Sequence, residues 1–244
     1  MSFEHWCEKY RPKKLDEVAG QDQAIAELNS WIQSWLKGKP NPKAVILSGP
    51  TGSGKTACAY ALASEFGLEV IELNASDQRT YEIIQRIAGT AAIAGTLVQG
   101  TKGRKLIILD EADNIYAAAD KGGARAIQKV IDETLQPIIL IANDPWQLSK
   151  ELRVKCKLIQ FRKVNVRSIA NILRKISKLE KLTVNDDAIE EIAKQAGGDL
   201  RSAINDLQAL AQGKTRISLE DTKALGLRNR EITIFDSLSR IFKS

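Results

Sequence analysis

The octet Gly49-Pro-Thr-Gly-Ser-Gly-Lys-Thr56 constrains this chain more than any other feature. It fits G-x-x-x-x-G-K-[ST] and stands between an apolar run, Ala44-Val-Ile-Leu-Ser48, and a helical stretch reaching to about Phe66. Glycines at these positions let successive backbone N–H groups turn inward around phosphate oxygens, and the start of the following helix adds a positive partial charge. Lys55 is long enough to reach β- and γ-phosphates, and the Thr56 hydroxyl suits Mg2+. The phosphate-binding candidates are therefore Gly49, Pro50, Thr51, Gly52, Ser53, Gly54, Lys55 and Thr56, with a nucleotide and Mg2+ as the expected ligands.

A second acidic centre follows. Leu106-Ile-Ile-Leu-Asp-Glu-Ala-Asp113 reads as an apolar strand ending in carboxylates. Asp110 is placed to hold Mg2+ through water, and Glu111 to orient or deprotonate an attacking water. An adjacent acid–Glu pair favours hydrolysis over transfer to a small acceptor. The single histidine, His5, argues against His-based acid–base, triad or zinc chemistry. Cys7, Cys58 and Cys156 are widely spaced and odd in number, which predicts reduced thiols.

Around these motifs the pattern alternates. Helical spacing of Ile25, Leu28, Ile32, Trp35 and Leu36 predicts a helix over 21–37, with Trp31 and Trp35 in the core. Apolar strands are predicted over 44–48, 69–73, 106–109 and 137–142, and helices over about 80–88 and 124–134. Continuously apolar strands separated by helices imply a parallel sheet covered on both faces. After Phe161 the pattern becomes helical throughout. Val166, Ile169, Ile172, Leu173, Ile176 and Leu179 form one apolar stripe. Asn185 or Asp186 caps a second helix, Asp199 a third, and Ser218-Leu-Glu-Asp221 looks like a capping box for a fourth. Residues 232–242 form a further amphipathic stretch. The expected class is an α/β nucleotide-binding core over 1–163, a small all-helical domain over 164–226, and a linker over 227–244.

The 244 residues carry a formal charge of +6, unevenly placed. The stretch from Lys150 to Lys181 holds eleven basic and two acidic residues, a possible polyanion footprint or a solvated helix face beside another subunit. No apolar run approaches the roughly 20 residues of a membrane helix, and no secretory signal is visible.

The phosphate loop, Asp110-Glu111-Ala-Asp113, the strand ending at Asn143 and a helical second domain together resemble an AAA+ ATPase. Trp6-Cys-Glu-Lys-Tyr-Arg-Pro12, Asn74-Ala-Ser-Asp-Gln-Arg79, Ile141-Ala-Asn-Asp144 and Gly197-Gly-Asp-Leu-Arg-Ser-Ala-Ile-Asn-Asp-Leu207 are similar to the clamp-loader ATPases of archaea and eukaryotes. Asp113-Asn-Ile followed by Lys121-Gly-Gly, and Val154-Lys-Cys156 where small subunits carry Ser-Arg-Cys, resemble the large-subunit branch of archaeal replication factor C.

The resemblance implies an ATP hydrolase that opens a ring-shaped sliding clamp and loads it onto primer–template DNA during replication, in a hetero-oligomer with small subunits. A neighbour would supply an arginine to the ATP site. It implies that Tyr10, Arg11, Pro12 and Val18 line the adenine pocket, and that Asn143 and Arg201 sense the γ-phosphate from the core and from the lid. Arg79, Arg86, Lys102 and Arg104, with Lys105 nearby, are DNA candidates through the phosphate backbone, without sequence readout. Ile115 and Tyr116 are candidate clamp anchors. A cytoplasmic, nucleoid-associated protein is expected, with a collar domain in addition to these residues. The alternatives are another AAA+ DNA remodeller or a nucleotide-binding scaffold that does not hydrolyse.

Overall fold

A computed structural model of the chain describes residues 4–38, 40–74, 105–114 and 122–223. The helix expected over 80–88 and the stretch over 232–242 lie outside them. Contacts divide the chain into two units, Pro12–Arg162 and a second one built from the N-terminal segment to Arg11 together with Lys163 onward.

The first unit is built on five parallel strands. These are β1 (Ala44–Ser48), β2 (Glu69–Asn74), β3 (Lys105–Asp110), β4 (Ile138–Ala142) and β5 (Cys156–Gln160), in spatial order β2-β3-β4-β1-β5. Every residue of β1 and β4 is buried, Ser48 included, and their long apolar runs suit a sheet covered on both faces. Helix α2 (Asp22–Leu36) packs Leu28, Trp31, Ile32 and Trp35 into the core on one side of the sheet, beside α3 (Lys55–Phe66). Both tryptophans also satisfy their indole N–H groups, on the carbonyls of Pro42 and Lys43 at 2.9 and 3.2 Å. A second core on Ile46, Leu109 and Leu140 is covered by Ile127, Val130 and Ile131 of α4 (Gly122–Glu133). Lys43 closes the end of α4 by donating to the carbonyls of Asp132 and Thr134 at 2.6 and 3.0 Å.

Strand β5 is absent from the sequence reading. Lys157 and Gln160 in a five-residue edge strand, preceded by the short α5 (Lys150–Lys155), hide its pairing with β1 among cations. Several cations of the basic stretch have partners within their own unit. Lys155 pairs with Asp132, Lys157 with Glu27 and Arg174 with Asp186, and Arg153 stacks 4.4 Å above the Trp146 ring.

The second unit packs α6 (Val166–Leu179), α7 (Asp186–Gln195) and α8 (Leu200–Leu210), with a helical turn over 219–223. Asn165 caps α6 and Asp199 caps α8, accepting from the N–H groups of Ser168 and Ser202 at 2.8 and 2.9 Å. The unit is not helical throughout. The two-residue strands β6 (Thr183–Val184) and β7 (Arg216–Ile217) pair in parallel, too short to register as a period. The stripe on α6 is also shorter than its sequence: Ile169, Leu173 and Ile176 are buried, whereas Val166 and Leu179 at its ends are exposed. The capping box forms in part. Asp221 Oδ2 accepts from the Ser218 N–H at 2.8 Å, while the Ser218 hydroxyl donates to the same oxygen.

The short α1 (Trp6–Lys9) belongs with these helices. The Trp6 N–H donates to Gln208 Oε1 at 3.0 Å, the Cys7 thiol to Asn205 Oδ1 at 3.2 Å, and both Lys9 and Tyr10 to Glu180 Oε1 at 2.6 Å.

Candidate functional site

The carboxyl ends of β1, β2, β3 and β4 bring six chemistry-bearing side chains, Lys55, Thr56, Asn74, Asp110, Glu111 and Asn143, to one edge of the sheet, where ligands sit in open parallel α/β folds. The loop leaving β1 needs glycine at its first residue. Gly49 has φ 147°, and a Cβ there would stand 2.3 Å from the Phe161 carbonyl oxygen. Gly54, at φ 95°, precedes α3, and its carbonyl accepts the Cys58 N–H at 2.8 Å. Ser53 is buried and bonds back to the Pro50 carbonyl at 2.7 Å.

Lys55 is buried. Its Nζ donates to the carbonyls of Gly49 and Pro50 at 2.7 and 3.0 Å and to Asn143 Oδ1 at 3.0 Å. The loop lysine and the amide just past β4 thus share one hydrogen bond. Thr56 Oγ1 donates to Asp110 Oδ2 at 3.4 Å. A hydroxyl and a carboxylate side by side are hard oxygen donors of the kind Mg2+ takes, with its remaining positions left to water and phosphate.

Glu111 follows Asp110 in the left-handed region, at φ 53°, unusual for a residue with a Cβ. Asp110 Oδ1 accepts the Glu111 N–H at 2.8 Å, and Glu111 Oε2 accepts from Asn74 Nδ2 at 3.3 Å. Asn74 closes β2 and has no separate role in the sequence reading; its place beside Glu111 follows from the β2–β3 register, which sets it opposite Asp110. Asp113 is the other addition. It is buried, and its Oδ2 accepts the N–H groups of Asn143 and Asp144 at 2.9 and 3.3 Å. The signal was an aspartate three residues after Asp110, whose partner only the fold supplies.

Of the adenine-pocket candidates, Pro12 and Val18 belong to the first unit and Tyr10 and Arg11 to the second. Val18 is buried, with Cγ1 3.7 Å from where a Gly54 Cβ would stand, and its loop is anchored by the Leu15 N–H on Glu65 Oε2 at 2.8 Å. Burial and the hydrogen bond to Glu180 raise the Tyr10 pKa. Burial works against the charge on Glu180, but the donors Lys9 and Tyr10 outweigh it and lower its pKa. Arg11 pairs with Glu8. Arg201 is exposed at the second position of α8, its carbonyl accepting from the Cys7 thiol at 3.7 Å. Arg79, Arg86, Lys102, Arg104, Ile115 and Tyr116 lie outside the described residues; Lys105 pairs with Glu69 at 3.6 Å.

The sequence pattern of the ATPase family associated with various cellular activities (AAA) matches residues 45–164. The RCF1/5-like AAA+ ATPase lid domain matches 171–212, and the Rad17 P-loop domain matches 1–86. The chain is 49% identical to a replication factor C large subunit of Methanosarcina mazei, over all of this chain and 39% of the relative. It is 45% identical to that of Methanopyrus kandleri, over 97% of this chain and 49% of the relative. With Pyrococcus horikoshii the identity is 46%, over 98% and 49%. The chain therefore spans about half the length, or less, of these curated relatives. Among solved structures, the RuvB Holliday junction branch migration motor of Thermotoga maritima superposes with a TM-score of 0.66 at 24% identity, over 91% of this chain and 72% of that one, a likeness of fold. The parallel core with its phosphate loop, the matched lid and these sequence identities place the chain in the AAA+ ATPases, in the family of the archaeal replication factor C large subunits.

Proposed function

We propose that this chain is the ATP-hydrolysing part of a clamp-loader large subunit, which opens a ring-shaped sliding clamp and loads it onto primer–template DNA. The observation that carries the reading is the grouping of Lys55, Thr56, Asp110, Glu111 and Asn143 on one sheet edge, in a chain 45–49% identical to replication factor C large subunits.

In this reading the loop N–H groups from Gly49 to Thr56 hold the phosphates. Lys55 exchanges its neutral oxygen partners for β- and γ-phosphate oxygens, a stronger charge-assisted bond. Thr56 and Asp110 would hold Mg2+, which when bound would supply positive charge against the charge developing on phosphate. Glu111 orients and deprotonates the attacking water, and Asn143 positions the γ-phosphate or that water. Tyr10, Arg11, Pro12 and Val18 take the adenine, and Arg201 reports the γ-phosphate to the lid. Lys155, at the position where small subunits present arginine, pairs with Asp132 of its own chain. This supports a chain that receives an arginine from a neighbour rather than donating one. DNA contact through Arg79, Arg86, Lys102 and Arg104, clamp contact through Ile115 and Tyr116, and a place in the archaeal cytoplasm beside the nucleoid rest on the family resemblance.

The test is steady-state ATP hydrolysis by the chain alone and with small subunits, clamp and primer–template DNA. A trans arginine is worth about 10³ or more, so stimulation of at least about 100-fold is expected. Equal rates alone and in the complex overturn the trans-arginine mechanism. Unchanged turnover in Glu111→Gln favours the non-hydrolysing scaffold.

A further inference from the structure

The four residues 161–164 join the two units, and each side of that link is gripped by a different turn. On the first-unit side, the Phe161 N–H donates to the Ser48 carbonyl at 2.7 Å, where the phosphate loop begins, and Gly49 approaches the Phe161 carbonyl too closely for any Cβ. Arg162 is held by Gln21. The Gln21 side chain accepts the Arg162 N–H at 3.1 Å, donates to the Arg162 carbonyl at 2.7 Å, and donates to the Ser53 carbonyl in the phosphate loop at 3.1 Å. An N–H on one side and two carbonyls on the other fix which end of the amide is which. Gln21 is almost fully buried, and its own carbonyl accepts the Ile25 N–H at 2.9 Å as α2 begins. One amide therefore ties the middle of the phosphate loop to the last residue of the sheet unit.

On the second-unit side, the Val164 N–H donates to the Gly198 carbonyl at 3.2 Å, and a Cβ on Gly198 would stand 2.8 Å from Lys163 Cβ. Gly198 directly precedes Asp199, the cap of the helix that carries Arg201.

We infer that Gln21 is a positioning residue that transmits the state of the phosphate loop through residues 161–164 to the turn bearing Arg201. The inference rests on the nucleotide site proposed above. Filling the loop with phosphate fixes the Ser53 peptide, whose carbonyl is a Gln21 acceptor; Gln21 then stiffens Arg162, and the link carries the constraint to Val164 and Gly198. No added contact between the units is required, because the path runs along the chain.

The experiment is residue-resolved amide hydrogen exchange on the full chain, with and without saturating adenylyl imidodiphosphate and magnesium. It compares Gln21→Met with its parent, both carrying Arg201→Ala so that direct contact of that arginine with nucleotide plays no part. Methionine keeps the length and volume and removes all three hydrogen bonds. In the parent, nucleotide should slow exchange in the phosphate loop and at Val164, the latter by about fivefold, the worth of one ordinary hydrogen bond. In Gln21→Met the loop should still be protected while the Val164 response falls below about twofold. An equal Val164 response in both chains overturns the inference and leaves the nucleotide site standing. No loop protection in either chain overturns the site reading, and the inference with it. If Gln21→Met does not fold, Gln21→Glu takes its place; it retains an acceptor for the Arg162 N–H and loses both donors. If neither variant gives native near-ultraviolet dichroism, Gln21 is a structural residue and the inference is wrong.

Discussion

Asn74 Nδ2 lies 3.3 Å from Glu111 Oε2 and draws that carboxylate toward β2, away from the phosphate loop. The sheet order makes the direction unambiguous, because β2 flanks β3 on one side while β4 and then β1 lie on the other. Asn74→Ala removes from the carboxylate a bond worth about 1 kcal/mol, so basal ATP turnover of the isolated chain should rise about two- to fivefold. Glu111→Gln should retain nucleotide binding and lose at least about 100-fold in turnover, the usual scale of a general base. Steady-state hydrolysis alongside equilibrium nucleotide titration separates the two effects.

The turn carrying Asn143 depends on one buried acid. Asp113→Ala leaves two N–H groups without their acceptor and should lower stability by about 2 kcal/mol, or roughly 4–8 °C in Tm for a chain of this size. Asp113→Asn keeps one acceptor oxygen and should lie between wild type and Ala. Turnover in Asp113→Asn should fall while nucleotide affinity changes little. Thermal denaturation and a KM-against-kcat comparison check both.

Two glycine positions should respond differently to alanine. Gly49→Ala puts a methyl 2.3 Å from the Phe161 carbonyl oxygen and should unfold the chain or abolish nucleotide binding. Gly67→Ala, at φ 62° with open space around it, should cost only about 1–2 kcal/mol through the left-handed backbone. Denaturant unfolding of the two variants makes the comparison.

The thiols should differ in reactivity. Burial pushes Cys58 and Cys156 up to about 12, whereas Cys7 is raised less and is half-exposed. At about pH 8 a disulfide reagent should label Cys7 first, with Cys58 and Cys156 following only as fast as the chain opens. Labelling followed by peptide mass analysis reads the order.

Asp221 should report acid loosening of the second unit. The Lys214 ammonium, with the N–H and hydroxyl of Ser218, lowers it from 3.8 to about 2. A lowered carboxyl stabilises the fold fully above 3.8, and that contribution disappears as pH falls from 3.8 through about 2. Carboxyl NMR titration should find this low midpoint, and Lys214→Ala should raise it.

The sequence pointed to the candidate site at this sheet edge because the site's parts are local. Gly49 to Thr56 and Asp110-Glu111 each occupy consecutive residues at a strand end, so spacing alone locates them. Asn74 carries no such signal and Asp113 only its place three residues after Asp110, since their partners lie 37 and 30 residues away and are supplied by the fold. Gln21 is 141 residues from Arg162 and reads in sequence as an ordinary helix start. Strand β5 failed for a different reason: an edge strand with one face open tolerates lysine and glutamine, and its apolar period is lost. The cap at Asp199 was readable because a cap is a contact over three residues.

Strand β1 lies between β4, which runs into Asn143, and β5, which runs out toward Arg162. The loop at its tip therefore borders two listeners with different audiences. One is an amide bonded to the loop lysine; the other is the peptide from which the chain departs for its second body. If the loop holds phosphate as proposed, the loss of one phosphoryl group at this tip would be felt on both flanks within a single strand spacing, and one event would then set the timing of chemistry and of the signal along the chain.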